Sequence, residues 1–134
     1  MKNNFDANKL VALSFDAQKN AYAPYSKFLV GACVLAKSGK TYLGANIENA
    51  SYPAGICAER VALSKAISEG EKEFVAIAIS CSADQYAYPC GICRQFLSEF
   101  STDLVVVVAK SQKEYKTFLL KDLLPANFDK DCMN

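Results

Sequence analysis

Leu104-Val105-Val106-Val107-Val108-Ala109 is the stretch on which the fold turns. A half-exposed strand would alternate polar and apolar side chains, whereas this run is unbroken and β-branched, as suits a strand covered on both faces. Upstream, residues 74–81 form a second mostly apolar run with strand character, and residues 90–100 between the two read as a helix. Strand, helix and strand in succession, with the last strand needing cover on both sides, place helices against both faces of a sheet.

The other elements arrange themselves around that unit. Residues 57–68 carry Val61, Leu63, Ala66 and Ile67 at helical spacing, and the pattern stops at Gly70, a residue suited to a left-handed helix end. Residues 28–36 and 41–48 read as strands joined by the turn Lys37-Ser38-Gly39-Lys40, which makes a hairpin. Residues 6–21 place Leu10, Val11, Leu13, Ser14 and Ala17 at helical spacing ahead of the turn Tyr22-Ala23-Pro24-Tyr25, and residues 114–120 supply a shorter fifth strand. No repeat, low-complexity run or linker interrupts the pattern. The expectation is one domain over residues 1–134, a three-layer α/β/α sandwich with a mixed five-stranded sheet.

Composition narrows the function. Lysine and arginine number 15 against 14 acids, so there is no surplus of charge with which to neutralise the phosphates of a nucleic acid, and a small molecule is the expected partner. No apolar stretch approaches the ~20 residues that span a bilayer, and the first ten residues lack the apolar run of a secretory signal, which points away from the membrane and to the cytoplasm. Six cysteines in a reducing compartment suggest metal or catalytic roles rather than disulfides. The chain has no histidine, which excludes serine–histidine and cysteine–histidine catalysis and every zinc site that requires imidazole.

The cysteines then divide by position. Cys90 and Cys93 form Pro89-Cys90-Gly91-Ile92-Cys93, a pair able to converge on one ion across a first helical turn, and equally compatible with a redox dithiol, half of a structural zinc site or two small buried residues. Cys57 also begins a helix and turns the balance toward a metal. Three thiolates leave one coordination position open, which distinguishes a catalytic zinc from a structural one. Cys33 and Cys81 fall in apolar strands as small core residues, while Cys132, in the polar tail, is the thiolate that would close the site and make it structural.

Glu59 is the expected proton carrier, although residues two apart do not share a helical face; a metal beyond the helix end is reachable from different sides of the first turn. Helix N-termini favour thiolates, and Arg60 either donates to the ligand sulfurs to offset their charge or is an exposed helical arginine. Asn46 and Glu48, two apart on an expected strand, point to one face and suit neighbouring hydroxyls, with solvated strand residues as the plainer alternative. Phe28 opens an apolar strand and by pattern alone belongs in the core.

Cys57-Ala58-Glu59-Arg60 followed by Pro89-Cys90-Gly91-Ile92-Cys93-Arg94-Gln95 resembles the small homotetrameric zinc-dependent cytidine deaminases. The resemblance extends to Tyr22-Ala23-Pro24-Tyr25-Ser26-Lys27-Phe28, Val30-Gly31-Ala32, Asn46-Ile47-Glu48-Asn49-Ala50 and Leu123-Leu124-Pro125, and so covers nearly the whole chain. It implies the cytidine deaminase fold and one Zn²⁺ per chain on Cys57, Cys90 and Cys93. It implies that Glu59 shuttles protons while cytidine and deoxycytidine become uridine and deoxyuridine, releasing ammonia in pyrimidine salvage. Phe28 would pack on the pyrimidine, Asn46 and Glu48 would hold the ribose 3′-hydroxyl, and the Ala58 N–H would steady the pyrimidine carbonyl. Phe128 would reach a neighbouring subunit's site at the interfaces of a homotetramer, with Asn127 standing where the family usually has a small residue. A relative acting on a nucleoside antibiotic shares the cysteine and glutamate core; the Tyr25-Ser26-Lys27-Phe28 and Asn46-Ile47-Glu48-Asn49 stretches favour cytidine.

Overall fold

The valine run becomes β4 (Val105–Ala109), and every residue of it is buried. Val106 and Val108 face a cluster with Leu63 and Leu97, while Val105 and Val107 face another with Leu10 and Val11. That two-sided burial is what an uninterrupted apolar strand requires. The structure is a computed structural model and describes residues 4–133.

Around β4 lie β1 (Val30–Ala36), β2 (Thr41–Ala45), β3 (Phe74–Cys81) and β5 (Tyr115–Leu119), in the order β2-β1-β3-β4-β5. β1 pairs antiparallel with β2 and β3, β3 pairs parallel with β4, and β4 pairs antiparallel with β5. The sheet is therefore mixed. Its parallel pair needs a crossover, and α3 (Gly91–Ser98) lies within that connection. α1 (Ala7–Ala17) packs on one face, and α2 (Ala58–Ser68) and α3 pack on the other, which gives the three expected layers. A fourth, single-turn helix, α4 (Leu120–Leu123), follows β5.

Element ends differ from the expected ones because of contacts with distant parts of the chain. α1 stops at Ala17 and tightens into a 3₁₀ turn over Gln18–Asn20, because the Gln18 amide donates to the buried Ser80 hydroxyl at 2.8 Å and the Tyr22 N–H is drawn to the Asn46 carbonyl at 2.9 Å. β1 begins at Val30 and β2 ends at Ala45, so Phe28, Asn46 and Glu48 lie outside the strands that were to carry them. There the Asn46 side chain takes over from the ladder, its Oδ1 accepting from Val30 N–H at 3.0 Å and its Nδ2 donating to the Phe28 carbonyl at 2.8 Å. α2 and α3 each start one residue after a cysteine. Cys33 and Cys81 are buried in β1 and β3, and burial pushes the Cys33 thiol up to about 12.

One close approach sets the position of α2. A Cβ on Gly44 of β2 would stand 2.4 Å from the Ala62 nitrogen and 2.5 Å from the Ala58 carbonyl oxygen, so helix and strand meet backbone to backbone. Gly44→Ala must push α2 off the sheet. We expect a loss of about 1–3 kcal/mol, the usual cost of overpacking, read as a lower urea midpoint; an unchanged midpoint would show that the helix gives way freely.

Candidate active site

The N-termini of α2 and α3 carry the cysteines. Cys57 (φ −73°, ψ 153°) and Cys90 (φ −73°, ψ 172°) occupy the N-cap positions in extended conformation, and Cys93 sits in the first turn of α3. Neither cap residue uses its side chain to close its own helix, which leaves the sulfurs free to turn elsewhere. All three sulfurs lie within 4.8 Å of one another, with Cys57 Sγ 3.9 Å from Cys90 Sγ. Sulfurs bound tetrahedrally to zinc at ~2.3 Å stand about 3.8 Å apart. Both the spacing and the all-sulfur donor set fit zinc, and a dithiol reading of Cys90 and Cys93 leaves the third sulfur unexplained.

Protonation follows the same geometry. A hydrogen bond from Cys93, aided by the Arg60 guanidinium, holds the Cys57 thiol down to about 5 against the opposing effect of burial. Cys93 faces that thiolate out of water, and its own thiol is pushed up. Arg60 Nη2 stands 3.7 Å from Cys57 Sγ, so the arginine turns to the sulfurs rather than to solvent, supplying positive charge beside three ligands that would otherwise leave a net negative centre.

Glu59 is 4% exposed, and burial pushes its carboxyl up to about 7. The two-residue spacing from Cys57 is no obstacle, because Cys57 is a cap in extended conformation and not a residue on a helical face. Both line a cavity of about 890 Å³. Phe28, Asn46, Glu48, Ala58, Arg60 and Cys90 share that lining with Tyr86 and Tyr88. Phe28 is 36% exposed, so it is a cavity aromatic and not the core residue its pattern suggested. The Ala58 N–H belongs to the first turn of α2, where amides have no partner within the helix.

Two residues stand apart. Phe128 is 58% exposed and outside the lining, its carbonyl accepting from Gln95 Nε2 at 2.8 Å. Cys132 lies on the 3₁₀ turn Lys130–Met133, its thiol 3.7 Å from Asp129 Oδ1, and does not join the clustered sulfurs. The closed four-sulfur site therefore has no support in the geometry.

Arg94 and Ser26, which residue type and spacing alone did not mark, fall within the family-like stretches Pro89–Gln95 and Tyr22–Phe28. Arg94 donates through Nε to the Pro89 carbonyl at 2.8 Å and through Nη1 to the Leu123 carbonyl at 2.9 Å, tying the turn ahead of Cys90 to the C-terminal segment. Ser26 lines the cavity beside Phe28. An arginine next to a ligand cysteine was visible in the sequence; its two carbonyl partners were not.

Comparison with known proteins agrees with this arrangement. Residues 5–109 match the family model for the cytidine and deoxycytidylate deaminase zinc-binding region. The chain is 42% identical over 130 residues to a cytidine deaminase of Halalkalibacterium halodurans, covering 96% of this chain and 98% of that protein. It is also 42% identical over 130 residues to one from Sporosarcina psychrophila, covering 96% of each. Among solved structures, the cytidine deaminase from Burkholderia pseudomallei superposes with a TM-score of 0.88 at 38% identity, covering 92% of this chain and 100% of that one. The cytidine deaminase from Mycobacterium tuberculosis gives a TM-score of 0.83 at 34% identity, covering 93% and 98%.

Proposed function

The chain belongs to the cytidine and deoxycytidylate deaminase zinc-binding family, and from that premise we propose that it hydrolyses cytidine and deoxycytidine to uridine and deoxyuridine with release of ammonia. The observation that carries this reading is the convergence of three cysteine sulfurs beside a buried glutamate in a cavity walled by an aromatic ring. Zinc held by Cys57, Cys90 and Cys93 supplies, when bound, the Lewis acidity that makes water a nucleophile near neutral pH.

The chain's own residues do the rest. Glu59, its carboxyl near neutrality, accepts one proton from the attacking water and gives it to the ring nitrogen, then takes the remaining proton of the hydroxyl now bonded to the ring carbon and gives it to the departing amine. Its proton count is restored when ammonia leaves, so one carboxyl serves as base and acid. The Ala58 N–H donates to the pyrimidine carbonyl oxygen, and Phe28 packs against the ring. Asn46 and Glu48 hold the 3′-hydroxyl, and because this set makes no demand on a 2′-hydroxyl, ribose and deoxyribose are both accepted.

The charge of the cavity lining favours a nucleoside over a nucleotide. Among the described residues, Arg60 is the one lysine or arginine in the cavity lining, and it faces Cys57, whereas Glu48 and Glu59 bring negative charge. A 5′-phosphate finds no cation there, nor does a polynucleotide. The same balance favours a free nucleoside of pyrimidine salvage. Phe128 would complete a neighbour's site in a homotetramer, a reading supported by its exposure outside its own cavity and by the exposed Tyr52, Tyr88 and Ile92 of the cavity lining, apolar surface that such an assembly would cover. Six free thiols suit the reducing cytoplasm, and among the described residues no helix is long and apolar enough to cross a membrane.

An ammonia-release assay tests the reading. Cytidine and deoxycytidine should both turn over, with cytidine 5′-monophosphate, free cytosine and single-stranded DNA slower by about 100-fold or more, the scale at which an unmet polar contact discriminates. Equal turnover of the monophosphate would overturn the nucleoside assignment.

A further inference from the structure

Residues 28–30 lie at and beyond the start of β1, yet their backbone groups are gripped from both sides. Ser82, at the end of β3, accepts the Leu29 N–H on its hydroxyl at 3.0 Å and returns its own N–H to the Leu29 carbonyl at 2.8 Å. Asn46 holds the Phe28 carbonyl and the Val30 N–H from the other side. The Phe28 N–H goes to the Ser26 hydroxyl at 3.0 Å. That hydroxyl in turn donates to Glu48 Oε2, while Glu48 Oε1 accepts the N–H groups of Tyr25 and Ser26 at 3.0 Å each. Ser26 is thus bonded at once to the Glu48 carboxylate and to the Phe28 backbone. Lys27 between them is left-handed (φ 63°), a conformation that costs a lysine free energy and that brings the Phe28 N–H back onto Ser26.

We propose that Ser26 is a positioning residue whose hydroxyl sets the separation between the Phe28 ring, against which the base packs, and the Glu48 carboxylate, which holds the sugar. The proposal rests on the reading of this cavity as a cytidine site. Base and sugar are joined by one glycosidic bond, so the two contacts must stand at a matching distance before substrate arrives, or binding itself must order them. Without the hydroxyl, Glu48 keeps its two N–H donors and Lys27 keeps its own bonds to the Ala23 and Pro24 carbonyls at 3.0 and 2.9 Å, but the Phe28 N–H turns to water and its tie to Glu48 is lost. Glu59, Cys57 and Cys90 line the same cavity but are held by the starts of α2 and α3, and among the described residues Ser26 makes no hydrogen bond to any of them. Ser26 therefore acts on substrate binding and not on the chemical step.

The test separates KM from kcat. Ser26→Ala should raise KM for cytidine and deoxycytidine about tenfold, the scale of one hydrogen bond to a charged group, with kcat and zinc content unchanged, and Ser26→Thr should return KM close to the parent's. In a Phe28→Leu background, Ser26→Ala should add little, because the ring it places is gone. A full, multiplicative KM effect in that background, or a loss confined to kcat, would overturn the proposal while leaving the cytidine reading intact. A parent enzyme that deaminates neither nucleoside would overturn both.

Discussion

Glu59→Gln is expected to bind zinc and fold as the parent does, yet deaminate cytidine more slowly by about 10²–10⁴-fold, the contribution typical of a positioned general acid and base. Glutamine copies the shape of the carboxyl and lacks the proton. The site offers no substitute: of the titratable groups around Glu59, Arg60 is turned to Cys57, and Cys57 and Cys93 belong to the clustered sulfurs. Folding should not suffer. Burial disfavours the ionised carboxyl, as its upward shift shows, and an amide at the same place carries no charge to bury. Metal analysis of the purified variant beside its ammonia-release rate decides the matter: parent-like turnover with zinc in place would remove Glu59 from the chemistry.

The role proposed for Glu59 was legible in the sequence because it depends on local spacing. Cys57, Ala58, Glu59 and Arg60 are consecutive, and a helix N-terminus turns consecutive residues toward one end of its axis. The valine run of β4 was readable for a similar reason, since burial on two faces leaves no room for alternation. What escaped lies in contacts between distant parts of the chain. β1 begins at Val30 because the side chain of Asn46, 16 residues later, continues its ladder, and because Ser82, 53 residues after Leu29, braces the other side. Strand propensity in residues 28–48 carries no trace of either bond. The placement of Phe28 shows the same limit. An aromatic at the head of an apolar run looks like core, and only the side-chain ladder beneath its backbone turns it into the cavity. Arg94 belongs with these, its partners being carbonyls of Pro89 and Leu123 that no residue pattern marks.

The same dependence on distant partners makes Cys57 the residue whose loss should reach furthest. Cys90 caps α3 and Cys93 lies in its first turn, whereas Cys57, the cap of α2, is the one sulfur of the cluster at the other helix start. Zinc on all three would tie the start of the helix that bears Glu59 to the start of α3, so that metal affinity would become part of folding stability. A ligand present at 100 times its Kd stabilises a fold by about 2.7 kcal/mol, which for a chain of this size is a rise in thermal midpoint on the order of 10 °C. We therefore expect the parent to melt lower after chelation and to recover with zinc. Cys57→Ala should melt near the chelated parent, gain nothing from added zinc, hold no stoichiometric metal and show no measurable deamination. It also takes from Arg60 the sulfur its guanidinium faces, while Arg60 Nε is already buried without a partner. Stoichiometric zinc in the variant, or a parent midpoint indifferent to chelation, would mean that the two helix ends are held together by packing alone. In that event Gly44, where α2 touches β2 backbone to backbone, would be the feature that fixes Glu59 in place.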